Sequence, residues 1–159
     1  MDEIFQRILD SNFSELPGLT IDASIPVSES LINEIIGEAI LGNKNIRYCR
    51  VSISRQNRAS VNLKTPLWPW PLELKLKPEN AMDFAVSQKI RARLENKVLL
   101  AKFGSFLNAL PKGISIHGDH VVIDVASLLP EHKKLLALVQ SVEIKTEEGK
   151  VILNVRIER

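Results

Sequence analysis

At 159 residues, with 45% hydrophobic and 25% charged side chains, the chain is long enough to bury one core without metal or disulfide help, and a single domain is expected. Its one cysteine, Cys49, excludes an intrachain disulfide. No apolar run approaches the roughly 18 residues of a membrane span. Asp2 and Glu3 stand where a signal peptide carries its basic region, so a cytoplasmic or peripheral membrane location is expected.

The net charge of +2 conceals a segregation. Between Lys44 and Lys112 there are 14 Lys and Arg against 4 Asp and Glu, while the flanks hold 7 basic and 15 acidic residues. A basic middle can meet an anionic partner, or the two halves can neutralise each other in the fold.

Residues 1–16 read as an N-terminal helix and linker, with Ile4, Phe5, Ile8 and Leu9 on one stripe, ahead of a sheet-and-helix core over 17–159. Leu19, Ile21, Ala23 and Ile25 alternate as a strand that Pro26 should stop. Ser28 is placed to cap a helix carrying Leu31, Ile32, Ile35, Ile36, Ala39 and Ile40 on one side, closed by Gly42 and Asn43. Residues 45–65 pattern as a hairpin around Gln56, Asn57 and Arg58, with Cys49, Val51 and Ile53 on one face; Ile46 and Tyr48 are out of phase with Cys49, which suggests a bulge.

Both tryptophans and three prolines then crowd into Thr65–Leu72. Prolines remove donors and fix φ, so this stretch is a corner or an edge rather than a paired strand. Either Trp68 and Trp70 face outward, as membrane or partner contacts, or at least one plugs an open end of the core. Leu72, Leu74 and Leu76 alternate with Glu73, Lys75 and Lys77 beyond it. The parity of Met82, Phe84, Val86, Ile90, Ala92 and Leu94 predicts one long strand, with Lys89, Arg91 and Arg93 on its other face.

Residues 97–110 have apolar side chains on more than one helical stripe, which predicts an enclosed helix or one touching an apolar ligand. Gly118 and Asp119 form a two-residue hairpin turn that sets Ile116 opposite Val121 and Ile114 opposite Ile123. A helix from Ser127 to Val139, broken near its start by Pro130, and a last hairpin around Glu147–Gly149 complete the chain. The fold class is therefore α+β, a curved, mainly antiparallel sheet with two or three helices packed on one face.

No phosphate loop, nucleophile elbow or paired-carboxylate motif is present, and Cys49 has no local base or helix N-terminus, so a non-enzymatic protein is expected, with no catalytic residue and no cofactor. His117 and His120 should stand side by side beyond the turn, but further ligands in a recognisable zinc spacing are missing, and exposed turn histidines are the better reading. Lys75, Lys77, Lys89, Arg91 and Arg93, with Lys64, offer a basic sheet face to lipid headgroups or nucleic acid; with 5% aromatics and no RNA-binding motif, nucleic acid is the weakest of the partners.

The run Ile25-Pro26-Val27-Ser28 into Leu31-Ile32-Asn33, followed by meandering strands and then by Leu110-Pro111-Lys112-Gly113-Ile114 and Gly118-Asp119-His120-Val121-Val122-Ile123-Asp124, resembles small bacterial proteins similar to the tubular lipid-binding superfamily. That resemblance implies a long sheet with a helix over an apolar groove, and a lipid or other apolar small molecule as ligand. The groove would draw on Leu72, Leu74, Phe84, Val86, Leu99, Phe103 and Phe106, with Trp68, Trp70 and the basic residues as contacts to an anionic membrane or a protein partner. The rival reading is a protein-interaction or scaffold domain with a closed core.

Overall fold

The computed structural model of the chain describes residues 10, 18–66, 68–96 and 112–158. Among them the order is β1 (Thr20–Ser28), α1 (Glu29–Ala39), β2 (Tyr48–Ser54), β3 (Arg58–Lys64), β4 (Leu72–Pro78), α2 (Phe84–Ser87), β5 (Lys89–Leu94), β6 (Ile114–His117), β7 (His120–Asp124), α3 (Val125–Leu128), a 3-10 turn (Pro130–His132), α4 (Lys133–Leu136), β8 (Val139–Glu147) and β9 (Lys150–Glu158). The architecture is α+β and antiparallel. The strands divide between two sheets, one of three strands in the order β1-β9-β8 and one of six in the order β2-β3-β4-β5-β7-β6.

Directly opposed residues of an antiparallel ladder share a face, so the register shows what each sheet presents. Across the six strands, apolar side chains line up in unbroken rows: Cys49–Leu63–Leu72, Val51–Val61–Leu74, Ile53–Ala59–Leu76–Leu94, Ala92–Val121–Ile116 and Ile90–Ile123–Ile114. The opposite face carries Arg50, Lys64, Lys75, Lys77, Lys89, Arg91 and Arg93, all exposed. The small sheet repeats the pattern, with Ala23–Val155–Val142 and Ile25–Leu153–Ile144 on its apolar side.

Among the described residues two clusters of buried side chains form, with Ile53, Leu94 and Val122 buried outside both. Ala81, Phe84, Val142 and Ile144 gather Ile90, Val125, Leu136 and the apolar side of β9, and so join the small sheet to one end of the large one. Ile46, Leu63 and Leu72, with Ile40 and Cys49, close the other end. Leu94 is the one fully buried large side chain among the described residues, and burial of that kind stabilises by roughly 1.5–3 kcal/mol.

Side chains bind elements that the ladders do not. Helix α1, capped by Ser28 Oγ accepting from Leu31 N–H at 3.2 Å, covers the free edge of β2: Asn33 bonds twice to the Val51 backbone and the Glu29 carboxylate accepts from Ile53 N–H at 2.8 Å. The outer edge of β8 is likewise closed, by the Ala81–Val142 bridge, by Ile144 N–H donating to Asn80 Oδ1, and by Thr146 N–H donating to Asn57 Oδ1. Only two of the four strand edges, those of β1 and β6, are left without such bonds among the described residues. Capping of this kind removes the exposed backbone donors and acceptors that invite edge-to-edge association.

Several elements depart from the sequence pattern. The expected strand over 82–95 is split: Phe84–Ser87 forms a helical turn and Gln88, at φ 51, redirects the chain into β5. That turn lets Phe84 leave the large sheet and fill the cluster beside the small one, where it is 2% exposed. β1 runs through Pro26 to Ser28, since it pairs only with β9 and an edge strand tolerates a missing donor. No bulge occurs near Cys49; Ile46 precedes the strand and is buried from the loop. Leu31 and Ile35 lie on the exposed side of α1 while Ile32, Ile36 and Ile40 are half-buried. The last helical segment starts at Val125, capped by Asp124, and is broken into α3, the 3-10 turn and α4 around Pro130.

Candidate functional site

The apolar face of the large sheet lies between the two core clusters. Its middle rows belong to neither: Val61, Leu74, Leu76, Ala92, Ile116 and Val121 are half-buried, while Ile53 and Leu94 in the same rows are buried. Leu72 and Leu74 stand on this face, Leu72 within the cluster at its end. Phe84 sits apart from them in the other cluster, and Val86, expected beside Phe84, is 89% exposed because the helical turn rotates it away. Of the apolar residues expected to line a groove, Leu72 and Leu74 are thus adjacent, while Phe84 and Val86 do not join them. Leu99, Phe103 and Phe106 lie outside the described residues, as do the helix expected over 97–110 and the N-terminal one apart from Asp10.

The tryptophan corner joins β3 to β4. Trp68 is 40% and Trp70 67% exposed, the rings meeting edge to face with centroids 6.5 Å apart. Both indoles are exposed, so neither is enclosed as a plug of the core, and the cluster of Ile46, Leu63 and Leu72 forms without them. Thr65, the first residue of the corner, is buried at 6% and anchors it.

The cations are brought onto one face, but they run away from the corner. Lys75 and Lys77 follow it on β4, Arg93 stands opposite Lys77, and Arg91 and Lys89 lie farther along β5. At about 3.3 Å per residue, Lys89 is roughly 30 Å from the corner end of the sheet. The corner that carries the indoles and the far basic residues are therefore at opposite ends of the sheet.

Beyond the Gly118–Asp119 turn, His117 and His120 oppose each other as the pattern required. Sequence spacing did not indicate their partners: His120 Nε2 lies 2.8 Å from Glu79 Oε1, 41 residues away, and its Nδ1 lies 2.8 Å from Asp119 Oδ1. His117 Nε2 lies 3.1 Å from Ser115 Oγ. No group of three or more His, Cys, Asp or Glu positioned to hold a metal occurs among the described residues. Cys49 is half-buried in the end cluster, and burial pushes its thiol above the ordinary value, the reverse of what a nucleophile needs.

Among the described residues three hollows open on the surface. The largest of these, about 410 Å3, lies on the small sheet and is lined by polar residues such as Asp22, Glu143 and Asn154 together with Ala23, Met82 and Val155; Arg156, also in its wall, pairs with Glu158 at 2.7 Å. The other two, about 290 and 190 Å3, adjoin on the basic face around Lys89 and Val122. Among the described residues no helix is long and apolar enough to cross a membrane. The chain matches no protein family, no curated protein and no solved structure.

Proposed function

We propose that the chain is a non-enzymatic module that holds a lipid or another apolar molecule on the apolar face of its large sheet, at a membrane surface. One observation carries this reading: five apolar cross-strand rows together cover the six strands, and between the clusters at the two ends Val51, Val61, Leu74, Leu76, Ala92, Val121 and Ile116 are only half-buried, although Ile53 and Leu94 among them are buried. Apolar surface in that position stabilises a bound chain by roughly 25 cal/mol for each Å2 removed from water. Two exposed indoles on a proline-stiffened corner add amphipathic groups of the kind that settle at a lipid boundary.

The test is native mass spectrometry and solvent extraction of the purified protein, with vesicle flotation at low salt. Co-purified lipid, and flotation lost in a Trp68→Ala, Trp70→Ala double variant of unchanged melting temperature, are the expected results. Protein free of lipid that fails to float sinks the proposal.

A second reading, a protein-interaction domain, draws on the same exposed corner and on the 9-residue edge strand β1, which could accept a partner's strand. It predicts no extractable lipid, and binding to a protein partner that is lost on mutating the corner or β1.

A further inference from the structure

On the outer face of the large sheet, the row Arg91–Val122–Ser115 interrupts an otherwise polar surface with a valine that is only 8% exposed. Its short side chain leaves a hollow of about 290 Å3, walled by Lys89, Arg91, His117 and His120. Both imidazoles are fixed in place, His120 between Glu79 and Asp119 and His117 against Ser115.

The carboxylates near this hollow already have partners. Glu79 and Asp119 face His120, and Asp124, opposite Lys89 in the ladder, accepts from Ser127 N–H at 3.1 Å. Arg91, Arg93 and Lys77 have no carboxylate within 4 Å among the described residues. A planar guanidinium beside an ammonium, over a small apolar floor, presents forked donors to a tetrahedral anion.

We propose that this hollow binds a phosphate group, with Arg91 as its principal donor and Lys89 supporting it. The phosphate belongs either to a lipid headgroup or to a small soluble ester. The proposal does not depend on the apolar-ligand reading, since the two sites are on opposite faces of the sheet and each is measured separately.

The experiment titrates the intact protein with inorganic phosphate and with glycerol 3-phosphate, followed by amide NMR, and in parallel with phosphatidylcholine vesicles doped with phosphatidic acid, followed by flotation. Saturable shifts confined to the amides of Lys89–Arg93 and His117–Val122 are expected with the soluble probes if the source is a free ester. Flotation without such shifts, weakened by Arg91→Gln and kept in the Trp68→Ala, Trp70→Ala variant, assigns the site to a headgroup. In either arm Arg91→Gln should weaken binding about tenfold, Arg91→Lys less, and Lys64→Gln, on the same face but outside the hollow, little. Melting curves verify that each variant is folded. No binding in either arm overturns the proposal, as does equal weakening by Arg91→Gln and Lys64→Gln, which marks diffuse charge rather than a site.

Discussion

The carboxamide of Asn33 meets the backbone of Val51 twice, donating from Nδ2 to the carbonyl at 2.8 Å and accepting from the amide at Oδ1 at 2.7 Å. One side chain of α1 thus stands in for a neighbouring strand at the edge of β2. Truncation leaves a half-buried donor and acceptor without partners, so Asn33→Ala should cost about 1–3 kcal/mol in urea unfolding. The exchange protection of the Val51 amide should fall while that of the β3 amides persists. Unchanged stability and unchanged Val51 exchange would show the contact to be dispensable.

Asn57 has two roles at the β2–β3 turn. It occupies the left-handed region at φ 54, and its Oδ1 accepts from Thr146 N–H at 3.1 Å, tying the turn to the edge of β8. Asn57→Gly keeps the backbone freedom and removes the bond, for a loss of about 1 kcal/mol. Asn57→Ala removes the bond and adds strain, for about 2 kcal/mol. Equal losses in the two variants would mean that the backbone conformation contributes nothing here.

What the sequence disclosed was local. The His117–His120 turn fixed its own register because two residues of the right type separate alternating strands, and Leu72, Leu74 and Leu76 disclosed their face through parity alone. Parity failed at Met82–Leu94, because a helical turn and a strand can carry the same apolar positions when one of them, Phe84, must reach a different sheet. How the two sheets are tied together was equally hidden, since it rests on Asn57 and Arg58 meeting Thr146 and on Asn80 meeting Ile144, across 64 to 89 residues. The basic face was legible residue by residue, but the clamp on His120 that leaves Arg91 and Arg93 unopposed needs Glu79 from another strand end. Nor could composition reveal that Trp68 and Trp70 stay exposed while Ile46 from the preceding loop joins Leu63 and Leu72 in the end cluster.

Gly113 and Gly118 both have positive φ, yet their surroundings differ. A Cβ at Gly113, where φ is +92, would lie 3.1 Å from Leu128 Cγ and Cδ2 on α3, whereas one at Gly118 would meet open space. Gly113→Ala combines backbone strain with a clash, and about 1–3 kcal/mol should be lost in chemical denaturation. Gly118→Asn, with a side chain that tolerates the left-handed turn, should stay within about 0.5 kcal/mol of the parent. The reverse order of the two variants would refute the close packing of α3 on the start of β6.

Asp124 should make part of the stability depend on acid pH. It caps α3, and hydrogen bonds from the Ser127 backbone N–H and hydroxyl, aided by the charge of Lys89, hold its carboxyl below the ordinary aspartate value. A carboxylate whose folded pKa is depressed contributes stability that is fully present above its unfolded value, near 3.9, and is lost as the pH falls through the folded pKa. Asp124→Asn, itself a good N-cap but uncharged, should therefore be slightly less stable than the parent at neutral pH and show a shallower decline below about pH 4. Direct titration of the Asp124 carboxyl carbon by NMR should place its midpoint below that of an unfolded aspartate, and Lys89→Gln should move it upward. A midpoint at or above the unfolded value would show that neither the cap nor the lysine acts on it.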